Sequence, residues 1–251
     1  MVSNRTLADR KTMPRARGPV MIDCGGFSEL LLFGEWRTAG KVYATLGRRY
    51  VQEIGNVEWM AAQDLMCEPF MLQRTGLSVR THQVMTVAGY LELLDRAPDL
   101  PWLPVLQGWT PADYFRHVEM YVAAGVNLAS LPLVGLGSVC RRQHLTEARY
   151  VARELSANGI RLHGFGVKTA ALSGLVTVLR TCDSLAWSQD ARRESARHKR
   201  IGKARVECPA GRAHTQASGC TNCLPYALAW RERVLQRITG GSYPMFDEES
   251  A

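Results

Sequence analysis

The chain has 251 residues, of which 46% are hydrophobic and 22% are charged, a composition typical of a globular protein with a sizeable core. The formal net charge of +8 and the isoelectric point near 9.3 favour a polyanionic partner such as nucleic acid, although a basic soluble enzyme has the same balance. No apolar run approaches the roughly 20 residues that span a bilayer, and we expect neither a secretory signal nor a membrane partner. The seven cysteines are an odd number, which favours a reducing cytoplasm with a metal site over disulfides.

Residues 1–19 carry scattered basic side chains and two breakers, Pro14 and Gly18, so we expect a basic N-terminal arm that is irregular or partly helical. An apolar run at 20–22 then leads into Asp23-Cys24-Gly25-Gly26. This pattern predicts a short buried strand that delivers the Asp23 carboxylate at its carboxyl end, beside glycines that leave room for a flat ligand. An Asp-capped turn with the glycine pair as its corner explains these residues equally well.

The same layout repeats along the chain, where buried apolar runs alternate with stretches at helical spacing. We predict further strands at 57–62, 103–106, 128–134, 160–167 and 181–188. We predict helices at 37–54, 80–96, 110–124, 146–157, 172–179 and 224–238. Such alternation is typical of an α/β fold with a parallel sheet, either a TIM-like (β/α) barrel or an open doubly wound sheet, although fewer strands are visible than a full barrel has.

Acidic, amide and glycine residues gather at the predicted carboxyl ends of these strands, where α/β folds place their active sites. Asp23, Asp64 and Asp183 are carboxylates, and carboxylates that share a pocket divide labour between nucleophile and proton carrier. Other strand ends offer an amide side chain, bare backbone amides and flat apolar faces: Gln107, Gly135, Gly137, Phe27, Trp109 and Trp187. Together they predict a pocket for a planar heterocycle, although each one alone is equally well explained as a turn or core residue.

A dense run of arginine and lysine with no clear apolar face occupies residues 190–206. We predict an exposed loop or frayed helix that contacts nucleic-acid phosphates, with a solvated linker as the alternative. The candidate phosphate contacts of the whole chain are Arg141, Arg142, Arg192, Arg193, Arg197, Lys199 and Arg200.

A cysteine and histidine group follows the basic run. Cys220 and Cys223 form a Cys-x-x-Cys pair that offers two thiolates to one ion, and Cys208 with His214 completes a closed, structural zinc set. His198 is an alternative nitrogen ligand, and cysteines without metal in a flexible segment are the alternative interpretation. The predicted organisation is a basic arm at 1–19, a barrel at 20–189, a basic loop, zinc cluster and final helix at 190–238, and a tail at 239–251.

Other cysteines and one histidine are predicted to be structural. Cys24, Cys67, Cys140 and Cys182 fit small buried hydrophobic positions, because no neighbouring histidine motif indicates an activated thiol. His163 lies on the fifth predicted strand, and we interpret it as a core or barrel-layer residue.

The strand-end motifs resemble the tRNA-guanine transglycosylase superfamily: Asp-x-Gly-Gly-Phe at 23–27, Gln-Asp at 63–64, Gln-Gly at 107–108, a Gly-x-Gly tip at 135–137, a late Asp-Ser at 183–184 and a zinc cluster before the final helix. The longer strings at 63–69, 104–109, 135–143 and 163–168 are most similar to its DNA-acting branch, the DpdA-type deazapurine DNA transglycosylases. The resemblance extends over nearly the whole chain, from residue 5 to residue 236.

This resemblance implies a TIM barrel that exchanges guanine in DNA for a 7-deazaguanine such as preQ0. It implies that Asp183 is the nucleophile that attacks the sugar C1′ and forms a covalent glycosyl-enzyme, and that Asp23 is the general acid and base. It further implies a structural zinc and a target base that is flipped out of a duplex or taken from a single strand. The residues implied to read or stack on the base are Asp64, Gln107, Gly135 to Gly137, Phe27 and Trp187.

The sequence departs from the family pattern in three places. Arg180 and its neighbours stand where the tRNA enzymes place a further aspartate before the nucleophile. A cysteine and a histidine precede the Cys-x-x-Cys pair here, whereas relatives usually have Cys-x-Cys-x-x-Cys and a later histidine, which puts His214 in doubt. The chain starts close to the strand that ends at Asp23, so we expect a barrel that lacks its first strand or is completed by a second copy or a partner subunit.

Three other functions stay open from the sequence. The same chemistry on tRNA is the first, because no local residue separates DNA from RNA apart from the DpdA-like strings. A non-catalytic nucleic-acid-binding subunit of a DNA-modification system is the second. An unrelated zinc barrel hydrolase is the third, and it would need an open metal site instead of the closed one predicted here.

Overall fold

A computed structural model describes residues 1–138, 145–172, 174–200, 208, 211 and 219–240 of the chain. Within these ranges the fold is α/β, and every strand pair is parallel. The chain divides into two compact units: one comprises Met1–Phe165 with Thr177–Asp183, and the other comprises Gly166–Val176 with Ser184–Ala251. None of the helices in the described ranges is both long and apolar enough to cross a membrane.

The strands of the first unit run in sequence order. They are β1 (Val2–Ser3), β2 (Val20–Asp23), β3 (Val57–Ala61), β4 (Trp102–Leu103), β5 (Val105–Leu106), β6 (Val134–Leu136), β7 (Leu162–Gly164) and β8 (Leu179–Cys182). β1 to β4 form one sheet in that order, and β5 to β8 form another. Parallel neighbours in sequence order require a crossover on the same side of the sheet each time, so the polar residues that follow each strand all come to one edge.

Pro104 explains why there are two sheets. It stands between β4 and β5, and proline has no N–H group to donate to a neighbouring strand. The two segments nevertheless bridge their neighbours, because Ala62 N donates to Leu103 O and Gly135 N donates to Pro104 O, both at short range (2.9 and 2.8 Å). β4 and β5 are therefore two halves of one interrupted strand that lies between β3 and β6.

Helices alternate with these strands. They are α1 (Asn4–Leu7), α2 (Gly26–Phe33), α3 (Gly40–Glu53), α4 (Pro69–Thr75), α5 (Val79–Arg96), α6 (Pro111–Ala123), α7 (Leu145–Ala157), α8 (Thr169–Leu172), α9 (Ala186–Arg200) and α10 (Leu224–Thr239). Fully buried tyrosines tie α3 and α6 to the strand ends: Tyr43 donates to Ala61 O, Tyr121 to Val105 O and Tyr114 to Gly137 O. The core of the first unit thus lies between the strands and these helices, and it fixes the strand ends.

The N-terminal prediction was wrong in part. Residues 1–19 are not only an irregular arm, because Val2–Ser3 pairs in parallel with β2 and a helical turn follows at Asn4–Leu7. Buried Asn4 anchors this segment by accepting a hydrogen bond from Tyr50 Oη at 2.6 Å. A strand therefore precedes β2, and a strand of only two residues has no periodicity that could have revealed it.

Several element boundaries also differ from those predicted. The strand predicted at 128–134 is a 3-10 turn at Leu128–Ser130, capped by Asn127, followed by β6. The helix predicted at 172–179 lies earlier, as α8, and Leu179 already belongs to β8. The strand predicted at 181–188 ends at Cys182, because a helix begins at Ala186. The helix α2 was not predicted. Its leucine and phenylalanine side chains lie on all sides of the helix and three of them are exposed, so the sequence shows no apolar face.

The second unit is built on α9 and α10 with the cysteine cluster between them. The segment at 190–200, predicted as a loop or frayed helix, is the helix α9. Its buried positions are the small residues Ser188 and Ala191, and such a narrow inner face does not produce a visible apolar stripe. Tyr226 of α10 donates a hydrogen bond to Glu194 Oε2 at 2.8 Å, which ties the two helices together.

Candidate active site

Asp23 ends β2, where its carboxylate accepts a hydrogen bond from Gly25 N at 3.1 Å and another from the Ser3 hydroxyl of β1. Gly25 has φ +85°, a conformation that glycine adopts without strain, and its amide therefore turns back toward the carboxylate. Burial raises the pKa of Asp23, and the nearby Asp183 carboxylate raises it further, while the two hydrogen bonds oppose the shift. A proton is thus held on this carboxyl more tightly than on an exposed one.

Asp183 follows β8, at the opposite end of the strand order from β2. Its backbone N–H donates to Gly164 O of β7 at 3.2 Å, and its Oδ1 atom lies 3.4 Å from Nε2 of His163. The side chain is 22% exposed, so its carboxylate is accessible to a ligand. The Asp183 carboxylate raises the pKa of Asp23, and the Asp23 carboxylate adds to the raised pKa of Asp64, so the fold brings all three predicted carboxylates into one region.

Asp64 lies just after β3 and is buried, 7% exposed. Its Oδ1 accepts a hydrogen bond from the Cys24 thiol at 3.2 Å, and its Oδ2 accepts one from Nε2 of Gln107. Burial raises the pKa of Asp64 to about 6, because these two bonds only partly offset the loss of water. Asp64 and the predicted amide residue, Gln107, are therefore hydrogen-bonded to each other. Cys24 is buried, as predicted, but it also bonds to the site.

The sequence did not reveal two further members of this group, Ser138 and Glu68. The Ser138 hydroxyl lies 2.6 Å from Gln107 Oε1 and 2.9 Å from Glu68 Oε2, and it accepts a hydrogen bond from Cys67 N at 2.8 Å. Ser138, Glu68 and Gln107 are at most 4% exposed. Ser138 has φ +54°, an unusual conformation for a residue other than glycine. In the sequence, its position next to Gly137 was the only sign that Ser138 belongs to the site.

Gly135 and Gly137 were interpreted as bare backbone amides, and this interpretation is wrong. Their N–H groups donate to Pro104 O and Leu106 O in the sheet, at 2.8 and 3.0 Å. The glycines provide space for neighbouring side chains. A Cβ atom at Gly137 would collide with Gln107 Nε2, and one at Gly135 would collide with the Phe165 ring. They allow Gln107 and Phe165 to pack against the strand, and base reading by their backbone stays a prediction.

The predicted aromatic residues lie in different places. Phe27 of α2 is half-buried and packs edge-on against Phe70, with ring centroids 6.2 Å apart. Trp109 is half-buried, and its backbone N–H donates to Asp113, next to the start of α6. Trp187 belongs to the second unit, where it packs against the cysteine cluster. Stacking by Phe27 or Trp187 on a base stays a prediction.

Three cysteines of the second unit converge. Cys208, Cys220 and Cys223 are all buried, and their sulfur atoms lie within 4.8 Å of one another, with Cys208 and Cys223 at 3.5 Å. A 3-10 turn at Gly219–Asn222 supplies Cys220, and Cys223 is the N-cap residue of α10. The Cys-x-x-Cys spacing places both thiols on one side of this turn.

The donor set suits a soft divalent cation such as Zn²⁺. Burial and the neighbouring thiols raise the pKa of Cys220 to about 12 without a metal, because clustered buried thiolates repel one another. A cation that binds the sulfur atoms removes this penalty, which is the usual reason for such a cluster. The predicted fourth ligand, His214, lies outside the described residues, as does Cys140, and the His198 side chain is not described either. Cys182 is exposed, so the prediction that it is buried was wrong.

Most of the predicted phosphate contacts share one helix. Arg192, Arg193, Arg197 and Arg200 are exposed on α9. The Lys199 side chain is not described, and Arg141 and Arg142 lie outside the described residues. Guanidinium groups exposed along one helix are well suited to contact phosphates.

Comparison with known proteins identifies the family. The family described as DpdA, DeoxyPurine in DNA protein A, matches residues 1–245. No curated protein matches the sequence significantly. An amidohydrolase from Burkholderia ambifaria with bound Zn is among the similar solved structures; it is 16% identical, with a TM-score of 0.37, and the match covers 81% of this chain and 56% of that chain. This chain thus spans little more than half of that structure. The match over nearly the whole sequence shows that the chain belongs to the DpdA family.

Proposed function

We propose that the protein is a pentosyltransferase that exchanges guanine in DNA for a 7-deazaguanine base, such as preQ0, through a covalent aspartyl-glycosyl intermediate. The observation that carries the proposal is the pairing of Asp23 with Asp183: the half-buried Asp23 carboxyl has a raised pKa, and Asp183 lies near it with a side chain that is 22% exposed. Two carboxyl groups in different environments are suited to different tasks. Membership of a family that is named for deoxypurines in DNA supports DNA over tRNA as the polymer.

In the first step, a carboxylate oxygen of Asp183 attacks C1′ of the deoxyribose. The C1′–N9 bond breaks, its electron pair leaves with guanine, and Asp23 gives its proton to the departing base. In the second step, N9 of the deazaguanine attacks C1′, the electron pair of the C1′–O bond returns to Asp183, and the N9 proton passes to Asp23. Both carboxyl groups end in their starting states, as covalent catalysis requires.

Asp64 and Gln107 are proposed to read the base. Guanine and 7-deazaguanine share N1–H and N2–H donors on one edge, and an ionised Asp64 accepts hydrogen bonds from such groups. With a pKa of about 6, Asp64 is mostly ionised at neutral pH. Gln107 donates one amide hydrogen to Asp64 and has a second for the base oxygen. Ser138 and Glu68 fix the amide of Gln107 in this orientation.

The proposal includes the closure of the strands into a (β/α) barrel. Asp23 ends the second strand and Asp183 follows the last, yet Asp183 raises the pKa of Asp23. An interaction between groups on such distant strands supports a wall of strands that curves round on itself, because Coulomb interactions weaken with distance and solvent. The sequential parallel order also agrees with a barrel wall.

The proposed zinc has a structural role. Cys208, Cys220 and Cys223 would hold it, and a bound ion would join the turn before α10 to the segment at residue 208. α9 lies in the same unit and presents the arginines proposed to contact DNA phosphates. We also propose a second copy or a partner subunit from the same modification system as a binding partner.

The exchange reaction tests the proposed function. We expect purified protein, incubated with DNA and preQ0, to produce deazaguanine deoxynucleosides that mass spectrometry detects after digestion. We expect Asp183→Ala to abolish the product and a gel-based trap of the covalent DNA adduct, while Asp23→Ala loses turnover. Asp95→Asn is the matched control, because Asp95 is an exposed aspartate on α5. The absence of product from every DNA tested, or equal activity of Asp183→Ala, would refute the proposal.

The same assay separates the alternatives. Incorporation of labelled guanine into tRNA but not into DNA would favour the tRNA reaction. Binding to DNA without any covalent adduct would favour a non-catalytic subunit.

A further inference from the structure

His163 faces Asp183 with a buried nitrogen atom that has no hydrogen-bond partner among the described residues. The side chain is 3% exposed, and its Nε2 atom lies 3.4 Å from Asp183 Oδ1, slightly beyond the usual length of a hydrogen bond. Leaving a buried polar atom without a partner is unfavourable, so one aimed at a reactive carboxylate indicates a role in the site. Such contacts are often long before a substrate binds and shorten in the reacting complex.

The second ring nitrogen of His163 selects the tautomer. Nδ1 lies 2.8 Å from Thr181 Oγ1, on the same strand that delivers Asp183. If the threonine hydroxyl donates to Nδ1, the ring proton is on Nε2 and points at the carboxylate. The opposite arrangement would place the Nε2 lone pair against a carboxylate oxygen, which is electrostatically unfavourable. The geometry therefore favours an Nε2–H group directed at Asp183.

An aromatic neighbour holds the imidazole ring in place. The rings of His163 and Phe165 pack edge to face, with centroids 4.8 Å apart and planes at 77°. Phe165 has room because Gly135, which pairs with His163 in the sheet, lacks the Cβ atom that would collide with it. Both the hydrogen bond to Thr181 and the ring packing thus restrict the imidazole to one orientation.

We propose that His163 is a positioning residue for Asp183, an inference that rests on the proposed transglycosylase function. Nε2–H holds Oδ1, and Oδ2 is the atom that bonds to C1′. When Oδ2 attacks, the electron pair of the C1′–N9 bond leaves with guanine, and no proton passes through His163. When the C1′–Oδ2 bond breaks in the second step, its electron pair returns to Oδ2, and Nε2–H again faces the charged carboxylate.

Substitutions that keep or remove the donor test this role. Glutamine carries an Nε2–H group in nearly the same place, whereas methionine has a similar volume and no donor. We expect His163→Met to lower kcat about 100-fold with KM for the deazaguanine within about threefold, the loss typical of a misplaced reacting group. We expect His163→Gln to recover at least about tenfold of that loss. Equal kcat values for the two variants, or a His163→Met enzyme as active as the wild type, would overturn the inference.

A measurement on the unliganded protein separates this inference from the proposed function. ¹⁵N NMR of the imidazole, assigned with His163→Gln, should show a proton on Nε2 and none on Nδ1. Thr181→Val, which removes the donor and keeps the shape, should produce a mixture of tautomers and a smaller loss of kcat than His163→Met. A proton on Nδ1 in the wild type would overturn the inference even if exchange occurs. An absence of exchange in the wild type would refute the proposed function, whichever tautomer is found.

Discussion

Asp64 shows how a single buried residue links stability to pH. Its pKa is about 6 in the folded protein and 3.8 ordinarily, so the folded state binds the proton more tightly than the unfolded chain does. The free energy of unfolding therefore falls as pH rises from about 4 to about 6 and levels off above that range, at a cost of about 3 kcal/mol. The protein thus keeps a charge in its core that weakens the fold at neutral pH.

Asp64→Asn removes this charge and tests the linkage. We expect the stability of the variant relative to the wild type to increase by about 1 kcal/mol between about pH 5 and about pH 7.5, measured by urea unfolding at both values. The asparagine amide makes a less favourable contact with the Gln107 amide than the carboxylate does, but the free-energy cost of this change does not depend on pH. We also expect loss of exchange activity, because an amide does not provide a carboxylate for the base edge. A stability difference between Asp64→Asn and the wild type that does not change with pH would contradict the raised pKa of Asp64. Asp95→Asn is the control, and we expect its stability difference to stay constant with pH.

At the scale of elements, α9 combines an inner face against the cysteine cluster with an outer row of arginines. We expect Arg192, Arg193 and Arg197 changed together to glutamine to weaken DNA binding at every sequence, because phosphate contacts carry no base information. The slope of log affinity against log salt should fall in magnitude by roughly 0.9 for each phosphate that the variant no longer neutralises. Fluorescence anisotropy between about 50 and about 300 mM salt measures both quantities.

A matched set of arginines controls for net charge. Arg80, Arg96 and Arg153 are exposed on α5 and α7 of the first unit, and their change to glutamine removes the same charge from another surface. If both triple variants show the same decrease in affinity and slope, the effect is one of overall charge and α9 is not a specific contact.

The turn that carries Cys220 makes the second prediction at this scale. We expect Cys220→Ser to lose about one equivalent of zinc and to unfold at a lower temperature, because the binding free energy of a structural ion is folding free energy. Elemental analysis and calorimetry measure the two effects. Cys182→Ser is the control, since Cys182 is exposed and lies outside the cluster. A variant that keeps both its zinc and its melting temperature would show that Cys220 is not a ligand.

The whole molecule decides whether Asp23 and Asp183 act together, because they follow strands at opposite ends of the order. The Asp183 carboxylate raises the pKa of Asp23, so its neutralisation should lower that pKa. We expect ¹³C NMR titration of the Asp23 carboxyl to show a lower pKa in Asp183→Asn than in the wild type. Asp95→Asn should leave the value unchanged. An unchanged value in Asp183→Asn would mean that the strand ends do not meet, and the proposed barrel closure would fail with it.

The parallel α/β class, most helices and the strand-end position of the three aspartates could be predicted from the sequence. These features follow from local periodicity and from the rule that polar residues terminate buried strands, which act over a few neighbouring residues. The Cys-x-x-Cys spacing likewise indicated the cysteine cluster, which could hold a metal ion, and strings such as Gln63 to Pro69 indicated the family.

Which groups touch one another is evident only in the folded chain. The contacts of Asp64 with Cys24 and Gln107, and of Asp183 with His163, join residues 20 to 43 positions apart along the chain. The structure also showed that the amides of Gly135 and Gly137 are already bonded within the sheet, so the glycines provide space instead of donors. Periodicity records which face of an element is buried, but the partner on that face depends on how distant elements pack, and no local pattern encodes it.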